Sequence, residues 1–142
     1  MKKVFLILGI VALVTSCSLN DDDGQNVNFE YAKITNVKLP DTLILGNAYS
    51  FPVTSEVSDC STFYNFDVRP VQPNPQDSLR YVGVLNRVLE DANCGTATDT
   101  ITKDLNFEVL YDHSYTFKFW QGVDADDEPI YLTKTVPVKA RQ

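Results

Sequence analysis

Tyr115, Phe117 and Phe119 alternate with Thr116, Lys118 and Trp120, and this two-residue period recurs along most of the chain. In a strand, successive side chains point to opposite faces, so strict alternation marks a ribbon with one face in a core and the other in water. The period appears from Ile34 to Leu39, which Pro40 ends, and again in "DTLILGN", closed by the Gly46-Asn47 turn signal. Tyr49, Phe51 and Val53 oppose Ser50, Pro52 and Thr54, and Tyr64, Phe66 and Val68 repeat the pattern before the turn-rich "RPVQPNPQDS". Leu105, Phe107 and Val109 form another run, and "IYLTKTVPVK" is the last. Leu79–Leu89 has apolar spacing that also fits a helix, but Gly83 and the β-branched Val82, Val84 and Val88 favour a strand. Pro52 and Pro137 lack a backbone donor, which places them at open edges or bulges.

About seven short antiparallel strands over residues 30–142 predict an all-β fold, an immunoglobulin-like β-sandwich. Phe, Trp and Tyr make up 11% of the residues, enough large rings to fill the gap between two sheets. The stretch "VLYDHSYTFKF" resembles the corner of immunoglobulin-like and fibronectin type III domains. That resemblance implies that Tyr115 opens a strand and hydrogen-bonds back across the preceding loop. Phe117 stands where antibody domains carry a cysteine two residues later, so the inter-sheet disulfide of those domains is absent.

The chain begins with a different physics. Lys2 and Lys3 precede the uncharged run Val4–Val14, about half of the roughly 20 residues needed to span a bilayer. A basic start, a short apolar core and small residues form an export signal, expected over residues 1–16. Val14-Thr15-Ser16-Cys17 resembles the bacterial lipobox. The resemblance implies cleavage before Cys17 and fatty acylation, as with palmitate, of that cysteine, and two or three acyl chains anchor firmly where one does not. Residues 17–29 then read as a flexible acidic tether. Asp21, Asp22 and Asp23 do not favour an anionic lipid surface. An acidic cluster so close to the cysteine resembles the sorting signal of surface-exposed lipoproteins of the Bacteroidota, which implies an outer-membrane address facing the cell exterior.

Removing residues 1–16 takes away two lysines and no acid, so the 12 basic and 19 acidic side chains become 10 and 19, a net charge near −9. With no basic patch, nucleic acid is excluded as a partner. Setting Cys17 aside leaves Cys60 and Cys94, an even pair in an oxidising exported context, and a disulfide is expected between them. Two separate thiols or half of a metal site is the alternative, although one histidine and no CxxC give zinc no ligand set.

Candidate chemistry is sparse. His113 is the single histidine, in a tight corner between Asp112 and Ser114, and no GxSxG elbow supplies it with a nucleophile. Asp124, Asp126, Asp127 and Glu128 in "GVDADDEP" offer hard oxygen ligands for calcium, yet Pro129 and Thr135 stand where an EF-hand loop needs Gly and Glu. A solvated turn that keeps the sheet edge soluble is the simpler reading. Trp120 and Lys118 share the face opposite Phe117 and Phe119, which makes them candidates for ligand contact or for packing under the acidic hairpin. Thr42, Ser78 and Thr100 each lie in an Asp–Ser/Thr–apolar tripeptide that resembles the O-glycosylation acceptor of the Bacteroidota, although Asp beside Ser or Thr also simply suits turns.

The chain is therefore expected to be a non-enzymatic, lipid-anchored envelope lipoprotein that binds a glycan or a protein partner, with no cofactor required. The general resemblance is to small uncharacterised lipoproteins of the Bacteroidota. The alternatives are a small acid-dependent hydrolase using Asp124 or Asp126, and a calcium-stabilised structural or accessory subunit of an envelope complex.

Overall fold

The computed structural model describes residues 26–70, 78–90 and 93–141, so the export signal, Cys17 and most of the acidic tether lie outside the described residues. Among the described residues there is no helix, and the expectation of an all-β chain holds. The strands are β1 (Val27–Ala32), β2 (Ile34–Val37), β3 (Leu43–Ile44), β4 (Ala48–Ser58), β5 (Ser61–Pro70), β6 (Leu79–Leu89), β7 (Thr98–Glu108), β8 (Tyr115–Val123), β9 (Pro129–Val136) and β10 (Val138–Lys139).

One sheet is built on β6. Its one edge pairs with β5, and its other edge is shared end to end, with Leu79–Val82 alongside β8 and Val84–Leu89 alongside β1. The handover falls at Gly83. Strand β9 adds antiparallel to the far side of β8. The second sheet has the order β2-β4-β7, in which β4 and β7 pair over 11 consecutive residues without a register shift. A short third pairing joins β3 to β10.

Alternation delivers the core between the two large sheets. Phe51, Val53 and Leu105 from the β2-β4-β7 sheet meet Val82, Val84, Phe117 and Phe119 from the β6 sheet, and all are buried. Phe117 stands edge-on to Phe51 at 5.7 Å and to Phe107 at 5.0 Å, the offset geometry aromatic quadrupoles prefer. Shrinking such a ring to alanine would cost about 3–5 kcal/mol. In β5 a bulge between Phe63 and Asn65 resets the alternation, so that Phe63 and Phe66 both pack on the core while Tyr64 faces water.

Three features depart from expectation. More strands are present than seven, and two pairings, β6 with β8 and β3 with β10, are parallel rather than antiparallel. The β6–β8 case follows from the path of the chain: β7 crosses to the opposite sheet between them, so β8 returns in the direction of β6. The folded part also begins at Val27, three residues before the expected boundary at residue 30. The stretch Val27–Phe29, read as tether, is the first half of β1 and pairs with Arg87–Leu89.

Two local devices hold the loops. The Cys60–Cys94 disulfide is formed, with Cα atoms 5.4 Å apart, and ties the β4–β5 turn to the segment before β7. The two cysteines are 34 residues apart in sequence, and closing a loop of that length stabilises by about 4 kcal/mol in the chain-entropy model. Tyr115, fully buried at the start of β8, accepts hydrogen bonds on its hydroxyl from the backbone N–H groups of Leu110 and Tyr111, both at 3.1 Å. A Tyr115→Phe variant keeps the ring but leaves two part-buried donors without that acceptor. It should unfold in urea about 1–3 kcal/mol more easily with an unchanged slope, whereas an unchanged midpoint would show that water replaces the hydroxyl.

Candidate functional site

The inward set of β6 and β8 determines what faces out. With Val82, Val84, Phe117 and Phe119 in the core, Tyr81, Gly83, Lys118 and Trp120 must stand on the opposite, solvent side of the same sheet. Neighbouring strands add to this face in register. Arg69 of β5 pairs with Tyr81, and Tyr81 pairs with Lys118 of β8. Asp67 pairs with Gly83, and Trp120 pairs with Tyr131 of β9. Tyr31 reaches over from β1. Together Tyr31, Asp67, Arg69, Tyr81, Gly83, Trp120 and Tyr131 line a groove of about 360 Å³.

Gly83 is what lets Tyr31 lie down. A Cβ at this position would come within 2.6 Å of Tyr31 Cε1 and 2.8 Å of Cδ1, so any larger residue would push the ring off the strand. In its place the phenol of Tyr31 donates to Asp67 and accepts from Arg69 Nη2 at 2.9 Å. Arg69 also grips Asp67 through Nε to Oδ1 at 3.0 Å and Nη2 to Oδ2 at 2.6 Å. This fork on both carboxylate oxygens is the geometry that suits guanidinium best.

The titration behaviour follows from the same contacts. Arg69's hydrogen bonds hold the Asp67 carboxyl below its ordinary range, with the Tyr31 hydroxyl adding in the same direction. The bond Tyr31 donates to Asp67 raises its phenol above the usual value, so it stays a donor, and Asp67 in turn raises Arg69.

The aromatic rings are arranged around this polar knot. Tyr31 and Trp120 lie 5.7 Å apart, and Tyr81 and Tyr131 lie 5.2 Å apart, both tilted. Lys118 Nζ sits 5.6 Å from the Tyr81 centroid and 5.7 Å from that of Tyr131, a cation held between two ring faces. The Tyr31–Trp120 pair also borders a second cavity of about 300 Å³, which Asn86 lines from the core side. Asn86 Nδ2 donates to the Glu56 carbonyl at 3.2 Å, while its buried Oδ1 has no partner among the described residues. The arrangement can stack flat apolar faces and hydrogen-bond hydroxyl groups at one place.

Of the residues singled out from sequence, Trp120 and Lys118 are thus brought together, and Trp120 packs on Tyr31 instead of under the acidic hairpin. In that hairpin Asp124 turns its carboxylate inward. Its Oδ1 accepts from the backbone N–H groups of Asp126 at 2.8 Å and Glu128 at 3.0 Å, which closes the turn around Asp127 with its positive φ of 62°. No group of three or more Asp, Glu, His or Cys side chains among the described residues could hold a metal. His113 is exposed, and its Nδ1 lies 3.2 Å from the carboxylate of its neighbour Asp112. Of the three residues in Asp–Ser/Thr–apolar tripeptides, Thr100 is exposed and Thr42 half-buried, whereas Ser78 is buried and its hydroxyl donates to the Ser114 carbonyl.

Tyr31, Asp67, Arg69, Tyr81 and Tyr131 were not anticipated. Alternation alone places Tyr81 outward, since it is out of phase with Val82 and Val84. Which strands lie beside β6 is set by long-range pairing, and no local pattern announces it.

Because Asp67 is ionised more readily in the folded chain than in the unfolded one, its contribution is complete above the ordinary carboxylate value of about 3.9 and fades as pH falls through the lower folded value. The stability gap between the native protein and Asp67→Asn should therefore be constant from about pH 7 to pH 5 and narrow below about pH 4. A gap that instead closes between about pH 7 and pH 5 would contradict the depressed titration.

Residues 1–18 match the family model described as a prokaryotic membrane lipoprotein lipid attachment site, a span that includes Cys17. No curated protein and no solved structure matches the chain. The attachment site supports a prokaryotic lipoprotein that associates with a membrane through a lipid anchor.

Proposed function

We propose that this protein is a non-enzymatic glycan-binding module, anchored by acyl groups on Cys17 and held on the outer face of the outer membrane. The observation that carries the reading is the outer-face groove, where Tyr31, Tyr81, Trp120 and Tyr131 surround the Asp67–Arg69 pair. The solvent side of a half-buried sheet is ordinarily polar. Here it presents rings whose faces can stack on the apolar faces of sugars, with a carboxylate and a guanidinium beside them to hydrogen-bond hydroxyl groups. Tyr31 is 42% exposed, so its ring is available to a ligand as well as to Trp120.

Binding suits the groove better than hydrolysis. Glycoside hydrolysis ordinarily requires two carboxyl groups about 5–9.5 Å apart. Asp67 is the one carboxylate among the groove's lining residues, and Arg69 and Tyr31 hold it ionised. A hydrolase would rest on Asp124 or Asp126, and both lie in a tight turn closed by backbone hydrogen bonds to the Asp124 carboxylate. The acidic run Asp21–Asp23 between the anchor and β1 supports placement of the domain clear of the bilayer, since those charges have no affinity for an anionic lipid surface.

The chain has a single tryptophan, and it stands in the groove, so its fluorescence reports on that site alone. The test is affinity electrophoresis of the soluble domain through gels containing neutral polysaccharides (dextran, galactomannan, arabinoxylan) or acidic ones (polygalacturonate, alginate), followed by fluorescence titration. At least one polysaccharide should retard the protein and shift Trp120 emission, and Trp120→Ala should weaken that binding by about tenfold or more. Absence of retardation in every gel, or retardation unaffected by Trp120→Ala, would overturn the reading.

A further inference from the structure

We infer that the groove takes an acidic glycan, with a sugar carboxylate lying over the Tyr81 ring between Lys118 and Arg69. The inference rests on the glycan reading above and narrows its ligand class. It begins with the charges. The whole chain has a formal net charge of −7, yet the charged groups around Tyr81 and Gly83 are Asp67, Arg69 and Lys118, and Arg87 follows on the same face further along β6. Arg69 neutralises Asp67 by gripping both carboxylate oxygens. Lys118 is in none of the ion pairs among the described residues, which join Lys33 to Glu56, Arg69 to Asp67 and His113 to Asp112. In a protein rich in acids, this lysine is faced by two tyrosine rings instead of a carboxylate. Beside the groove the face therefore carries a net positive charge, that of Lys118, inside an acidic molecule, and Arg87 adds to it further along β6.

Geometry places that charge where a ligand can use it. Arg69, Tyr81 and Lys118 are consecutive cross-strand partners on β5, β6 and β8. With strands about 4.8 Å apart, the two cations flank the Tyr81 ring at about 10 Å between backbones. A sugar ring stacked on Tyr81 would hold a carboxylate within reach of both. Arg69 remains 68% exposed, and its contacts to Asp67 and Tyr31 use Nε and Nη2. The rings of Tyr81 and Tyr131 hold the Lys118 ammonium in place before a ligand arrives, so little ordering is left to accompany binding. A neutral glycan would leave this cation without a counter-ion, whereas an acidic one supplies a charge-assisted hydrogen bond.

The probes are oligogalacturonate and its methyl ester, which share the same ring and stacking faces and differ in charge, titrated against Trp120 fluorescence. The native protein should bind the acid about tenfold more tightly than the ester, the effect of one charge-assisted contact. Lys118→Met keeps the stem between the tyrosines and should bring the two affinities together, while Lys118→Arg should retain the preference. Lys134→Met removes a positive charge elsewhere on β9 and should leave the preference as in the native protein. Equal affinity for acid and ester in the native protein, or a preference that survives Lys118→Met, would overturn the inference. Binding of neutral polysaccharides without the acidic ones would sink this inference and leave the glycan reading standing. Absence of binding to every polysaccharide would end both.

Discussion

The edge-to-face contact of Phe117 with Phe51 and Phe107 sets the register of β8, and everything on the outer face depends on that register. A strand shifted by one residue exchanges its two faces completely. With Tyr115, Phe117 and Phe119 fully buried, Trp120 and Lys118 have nowhere to go but outward. A slip would carry a lysine into the core, and the desolvation of its ammonium without a partner would cost far more than the aromatic contacts of the slipped register could return. The core thereby positions a surface it does not touch.

Strand β6 extends that control across the sheet. It pairs with three other strands along its two edges, and the change of neighbour from β8 to β1 at Gly83 brings Tyr31 beside Trp120. The missing side chain at Gly83 then lets the Tyr31 ring lie against the strand, with its hydroxyl at Asp67. Fold and groove are coupled here through a single backbone position. The Tyr31–Asp67–Arg69 contacts also secure the loose half of the edge, because β1 is otherwise exposed along nearly its whole length.

Much of the fold was legible in the chain because burial writes itself as alternation. The strands with an apolar inner face, β4 and β8 above all, could be read directly, and the Cys60–Cys94 bridge followed from counting. Strand β1 escaped because its apolar residues, Val27, Phe29 and Tyr31, point to water, so its alternation carries no core signal and its neighbourhood resembles a tether. The first half of β7 escaped for a related reason: Thr98–Asp104 has Ile101 as its single apolar residue, too little for a period, and its extended form is held by the ladder to β4. Trp120 and Lys118 could be found, since their orientation depends on one strand alone. Tyr31, Asp67 and Arg69 join them because β1 and β8, both far from β6 in sequence, share one edge of β6, and such long-range pairing has no local spelling.

The lipid attachment site, the acidic run after Cys17 and the aromatic rings on the open face of the sheet are what the proposed glycan-binding role rests on. The most direct test of that account is an NMR titration of the soluble domain with a polysaccharide fragment that retards it in gels. The account predicts that the Trp120 indole N–H and the amides of Tyr31, Asp67, Arg69, Gly83 and Lys118 shift together and saturate, while residues 112–114 and 124–128 stay in place. Shifts centred on the acidic hairpin, with the Trp120 indole unmoved, would contradict it.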